Sequence, residues 1–176
     1  MAVTFDQVKA ALDPEEPAYN KAAAAFGAEA LPHLARLIAS DHSMLASKAA
    51  YLAGLIGTDK AVDVIQRAAR SGDVTVRIAA AAAAGKLTAD SASDVLINLI
   101  DDGDVGVQKV ALRSVPDTSS PALRARVASL SAGKAESAIR SLSREVLERL
   151  PPSPTEEDAS EPLPKTKKKK KSKPKK

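Results

Sequence analysis

The sequence predicts an all-α fold: a right-handed α-solenoid of about five antiparallel helix pairs, followed by a disordered C-terminal tail. Three observations carry this expectation. Apolar residues recur at a spacing of 31 residues, each period holds two helical patterns split by a polar turn, and the pattern stops where prolines and charges begin. A fixed period of roughly 20 to 50 residues with two helices inside it means a stack of helical hairpins, each unable to bury its apolar face without its neighbours.

Five columns express the repeat. Leu34, Ile65, Leu96 and Val127 form one, and Leu37, Ala68, Leu99 and Leu130 lie a helical turn later. The partner helices carry Leu45, Val76, Val107 and Ala138, then Ala49, Ala80, Ala111 and Leu142, then Ala53, Ala84, Val115 and Val146. No polar residue stands in any of them.

In chain order, Thr4 with Gln7 three residues later has the form of a capping box, so a first helix starts at Phe5 with Phe5, Val8 and Leu12 facing inward. Asp13-Pro14 and Pro17 end it. A second helix over about 18–26 completes an atypical terminal pair, 1–26, as the end of a stack requires. Four regular units follow, at 27–56, 57–87, 88–117 and 118–150. Their first helices are expected over about 29–39, 60–70, 90–101 and 121–131, and their second helices over about 43–56, 74–87, 105–115 and 136–150. The intervening turns, such as Ser71-Gly72-Asp73 and Asp101-Asp102-Gly103-Asp104, are built from residues that cap helices and tolerate unusual backbone angles. The alanine run 79–84 favours helix and predicts a tight crossing in the second helix pair. Pro116 stands where earlier units carry Gly54 and Gly85, and is expected to end its helix early.

From Pro151 the repeat gives way to a Pro/acidic linker, 151–164, and a Lys-rich segment, 165–176. Five prolines and little apolar surface exclude a packed helix there, so the tail is expected to be disordered. Residues 1–150 hold 17 Lys and Arg against 18 Asp and Glu, the linker adds four acids, and the last segment adds nine Lys. The net charge of +4 therefore describes the tail and not the body. With two Phe, two Tyr and no Trp, the core has to come from Ala, Leu, Val and Ile. The absence of Cys excludes disulfides and thiolate chemistry. The apolar stretches are too short to span a bilayer, and a cytoplasmic protein is expected.

Asp73-Val74-Thr75-Val76-Arg77-Ile78-Ala79-Ala80 resembles the signature of HEAT and HEAT-like repeats, in which an Asp caps the second helix, a Val packs inward and an Arg follows. Asp104-Val105-Gly106-Val107-Gln108-Lys109-Val110-Ala111 matches it with Gln for the Arg, while the units on either side keep the columns and lose the Asp and Arg. The short repeat is similar to that of the phycobilin lyase family. The resemblance covers about 27–150 and implies a binding surface, because this fold mostly serves as one. HEAT-like hydroxylases hold iron with His-Glu dipeptides, but here Leu34 follows His33 and Ser43 follows His42. HEAT-like DNA glycosylases use aromatic side chains in a basic concave face, and here Tyr51 stands alone on its helix. No residue carries over the lyase activity.

The expected function is therefore a non-catalytic scaffold that grips another protein, with no catalytic, metal or cofactor residues. In such stacks the second helices line the concave side. The partner-binding cations expected there are Arg77, Lys109, Arg113, Arg140 and Arg144; a 31-residue register sets Lys109 beside Arg140 and Arg113 beside Arg144. The tail cations Lys165, Lys167, Lys168, Lys169, Lys170, Lys171, Lys173, Lys175 and Lys176 suit a polyanion, with DNA or RNA favoured over a membrane because no lipidation motif or amphipathic helix supplies a second anchor. Two other readings stay open: a nucleic-acid-binding factor that uses the tail together with the basic face, and a HEAT-like lyase or enzyme accessory subunit. His33 and His42 read as surface histidines, and Asp101, Asp102 and Asp104 as helix caps rather than a calcium loop.

Overall fold

In the computed structural model, which describes residues 2–151, the chain is a sequential stack of helix hairpins. The described residues form ten α-helices and no strand: α1 (Phe5–Leu12), α2 (Tyr19–Phe26), α3 (Leu31–Ile38), α4 (Ser43–Ile56), α5 (Asp59–Ala69), α6 (Val74–Ala84), α7 (Ala89–Leu99), α8 (Val105–Arg113), α9 (Pro121–Ala132) and α10 (Ser137–Arg149). The expected disorder of the linker past Pro151 and of the lysines from Lys165 onward lies outside the described residues.

Local chemistry sets the helix ends. Thr4 Oγ1 accepts from the Gln7 amide at 3.3 Å, and the Gln7 side chain accepts from the Thr4 amide at 2.9 Å, which closes the capping box of α1. At the other end of α1, where Pro14 stops the helix, the buried Lys48 of α4 donates to the carbonyls of Leu12 and Pro14 at 3.2 and 2.6 Å. A side chain 36 residues away thus supplies the donors that the helix lacks at its C-terminus. A 3₁₀ turn at Gly27–Ala30, absent from the sequence expectation, leads into α3. Asp73 accepts from the Thr75 amide at 2.7 Å, and Asp104 from those of Gly106 and Val107 at 2.8 and 3.1 Å, so the two signature aspartates cap α6 and α8. Pro116 has the expected effect: α8 ends at Arg113, two residues short of the position where α6 ends.

Successive first helices α3, α5, α7 and α9 pack side by side, and so do the second helices α4, α6, α8 and α10. The second helices approach one another more closely, above all α4 and α6, so the stack curves with them on its inner side. The close crossing expected at the alanine run lies between units: a Cβ added at Gly54 of α4 would stand 2.7 Å from the Ala83 carbonyl oxygen of α6. Small residues on both helices permit that separation.

The columns are buried through the first three regular units, with Leu45 half-buried at their edge. In α10 the buried residues are Ile139, Ser143 and Val146, while Ala138 and Leu142 are half-buried. The N-cap positions explain this shift. They fall at His42, Asp73, Asp104 and Glu136, so the last interval is 32 residues where the others are 31. The extra residue lies between the N-caps of α8 and α10, so the strict 31-residue columns misassign Ala138 and Leu142. Ile139 and Ser143 take the places held by Val107 and Ala111.

Candidate functional site

The inner face is formed by the second helices, and its composition follows from their register. Counting from each N-cap, the first row is Ser43, Val74, Val105 and Ser137, and the second is Met44, Thr75, Gly106 and Ala138. The fifth row is Ser47, Ile78, Lys109 and Ser141; the ninth is Tyr51, Ala82, Arg113 and Glu145. Met44 is 64% exposed and Val74 36%, and these are the exposed large hydrophobics among the described residues. Neither stood out in the sequence, because each reads as one more apolar residue in an apolar helix.

The 32-residue interval separates the cations that a 31-residue register groups together. Lys109 aligns with Ser141, and Arg113 with Glu145. Arg140 occupies the fourth position after its cap, as Arg77 and Gln108 do in their helices. Arg144 occupies the eighth, the counterpart of the buried Ala81 and Leu112. No unit follows α10 among the described residues, and Arg144 is exposed there. Two groups result, with Lys109 and Arg113 on the inner face and Arg140 and Arg144 on the terminal face.

The fourth position after the cap has a consistent task. The Arg77 Nη1 donates to the carbonyls of Ser71 and Gly72 at 3.0 and 3.1 Å, Gln108 donates to the Asp102 carbonyl at 2.8 Å, and Arg140 donates to that of Ala135. Each side chain folds back over the turn that precedes its own helix. The last unit therefore retains the signature arginine, displaced by one residue. Arg77 also binds Asp102 of the next unit, with Nε to Oδ2 at 2.8 Å and Nη2 to Oδ1 at 3.1 Å. That hydrogen bond above all holds the Asp102 carboxyl below its ordinary range, against the opposing effect of partial burial. Its guanidinium is thus committed within the fold.

At the far edge of the inner face, Lys86, Arg113 and Arg149 rim an open cleft floored by Ala82, Gly85 and Ser114. Arg149 donates to the Val115 carbonyl at 2.8 Å and pairs with Asp117, while the ion pairs among the described residues include neither Lys86 nor Arg113. At the N-terminal end Tyr19 and Tyr51 meet edge to face with centroids 4.9 Å apart, and burial, then the neighbouring phenol, raises the Tyr19 pKa. His33 departs from the surface role expected of it: it is half-buried, its Nε2–H donates to the Val3 carbonyl at 2.9 Å, and its ring packs on Phe5. His42 is exposed. Among the described residues no helix is long and apolar enough to cross a membrane, and no group of three or more His, Cys, Asp and Glu could hold a metal ion.

A family model for HEAT repeats matches residues 31–116. No curated protein sequence matches the chain. Eighteen chains of solved structures do match. One of them is from the complex of CpcE and CpcF of phycocyanin lyase from Nostoc sp. PCC7120, at 22% identity and a TM-score of 0.61, with 81% of this chain and 96% of that chain covered. This likeness is one of fold. Residues 31–116 match the HEAT-repeat model and the same hairpin order continues on both sides of them, so the described residues fold as a HEAT-like α-solenoid.

Proposed function

We propose that this protein is a non-catalytic cytoplasmic scaffold that binds another protein on the inner face of its second helices, while the Lys-rich tail holds the complex near a polyanion, DNA or RNA. The observation that supports it most is the make-up of that face. Exposed apolar side chains on α4 and α6 share that face with the cations Lys109 and Arg113 on α8, and neither cation is engaged in an ion pair among the described residues. Exposed apolar surface of this kind is a mark of protein interaction sites. The solved relative is itself a complex of two proteins, which favours a protein ligand for this fold.

The tail adds a term of a different character. Nine lysines binding a polyanion release condensed counterions, so the affinity falls steeply with salt and reads no base sequence. The alternative, in which the repeats extend the tail's footprint over nucleic acid, needs one continuous basic face. Lys109 and Arg113 lie apart from Arg140 and Arg144, which weighs against it.

The test is a photo-crosslinker in place of Thr75 in the full-length protein, with lysates treated with nuclease. A crosslinked protein that survives replacement of the nine tail lysines by Gln, and is lost in Val74→Lys with Arg113→Glu, supports the scaffold. Salt-sensitive binding of duplex DNA that persists in the tail variant would favour the nucleic-acid alternative, and a chromophore purifying with the protein would favour a lyase role.

A further inference from the structure

We infer that the inner face of α4, α6 and α8 accepts an amphipathic α-helix of the partner protein, apolar at every seventh residue and acidic where it lies over α8. The inference rests on the protein-binding reading above and adds the chemistry of the partner. Met44, Val74 and Val105 stand in the first turns of three successive second helices, Met44 and Val74 exposed and Val105 half-buried, with Ile78 half-buried one turn after Val74. Packed helix axes lie about 8 to 10 Å apart, and seven residues of α-helix rise about 10.5 Å. A helix laid across the stack therefore meets one apolar side chain of this row for each heptad.

Other backbone shapes fit less well. In an extended strand, residues three apart span a similar distance but point to opposite faces. A polyproline helix repeats every three residues at about 9 Å, yet such ligands dock in aromatic-lined grooves, and Tyr51 is the one aromatic on α4, α6 and α8. The first-turn amides of α6 and α8 bond to Asp73 and Asp104, so the face offers the partner few backbone donors there. Recognition falls to apolar contact and to charge.

Charge sets the direction. Along the fifth and ninth rows α4 and α6 present Tyr51, Ile78 and Ala82 with Ser47 buried among them, and no acidic or basic side chain, whereas α8 presents Lys109 and Arg113. Acidic residues on the partner helix belong at the end that covers α8, and the reverse orientation would set them over the apolar row.

The chain holds two methionines, Met1 and Met44, so methyl-13C-methionine labelling of the full-length protein gives a simple spectrum with a reporter on the face at Met44. The probe is a synthetic 21-residue helical peptide with Leu at every seventh position and Glu in its last turn. Two controls carry the same Leu and Glu: one with Leu at every fifth position, and one on a Pro-X-X repeat. Repeating the titration with the nine tail lysines replaced by Gln removes any contribution from binding of the acidic peptide to the tail. The expected result is a saturable shift of the Met44 methyl with the heptad peptide alone, weakened at least tenfold by Val74→Lys. Arg113→Glu should weaken it similarly and recover when the peptide's Glu residues are exchanged for Lys. Failure of the heptad peptide to move Met44, or an equal response to either control, overturns the inference. If the Thr75 crosslink to a natural partner still depends on Val74 and Arg113 in that case, the protein-binding reading stands without the helix.

Discussion

Arg77 of α6 and Asp102 of the α7–α8 turn form a two-pronged ion pair that ties one unit to the next, and both side chains are mostly withdrawn from water, at 18% and 10% exposure. Because the same guanidinium also satisfies two carbonyls of its own turn, removing it orphans acceptors in two units at once. Arg77→Met should cost about 2 to 3 kcal/mol, read as a lower midpoint in urea at an unchanged slope. Asp102→Asn should cost less, since the amide oxygen still accepts one bond.

The same pair predicts a pH dependence. The Asp102 carboxyl is held below its ordinary range, so its contribution to stability is complete above the unfolded carboxyl value of about 4 and is lost as pH falls through the folded value. Wild type should lose more stability than Asp102→Asn between about pH 5 and pH 2, measured by urea unfolding at each pH. Equal losses would show that the pair adds no pH-dependent stability.

Ser143 stands in the column that holds Ala49, Ala80 and Ala111, and its hydroxyl is buried with no hydrogen-bond partner. Ser143→Ala removes the polar atom and leaves the packing almost unchanged. A gain of about 1 kcal/mol is expected, or roughly 2 to 4 °C in Tm for a domain of this size.

Gly54 permits a close crossing of α4 and α6. Gly54→Ala drives a methyl into the backbone of Ala83 and should cost about 1 to 3 kcal/mol by forcing α4 and α6 apart. Gly72→Ala, where an added Cβ meets nothing within 4 Å, should change stability by less than about 0.5 kcal/mol. Thermal unfolding of the two variants side by side checks the contrast.

Lys48→Met keeps the apolar stem of the side chain and removes the amine that bonds the Leu12 and Pro14 carbonyls. The expected loss of about 1 to 3 kcal/mol should be concentrated at the N-terminal pair, seen as faster amide exchange in α1 than in α6.

Much of this molecule follows from residues close together in the chain. Thr4 and Gln7, Asp73, Asp104 and Pro116 each mark a helix end through contacts within a few residues, and the apolar period makes separate hairpins unstable and a stack necessary. Element type, order and the polar end of the columns were therefore legible in advance. The phase of the last hairpin was not, because one extra residue before α10 is invisible to a strict 31-residue count. A one-residue offset turns a helical position through about 100°, enough to carry Arg144 from the inner face to the end of the stack and to separate it from Arg113.

What tertiary structure alone decided is which distant groups meet. Lys48 closes a helix end 36 residues away, Arg77 chooses Asp102 across a unit boundary, and Met44 is left exposed although Leu45 beside it is half-buried. Local preferences specify the helices, but exposure and pairing depend on the sum of every turn length and crossing between two positions. That sum exists only once the hairpins have stacked.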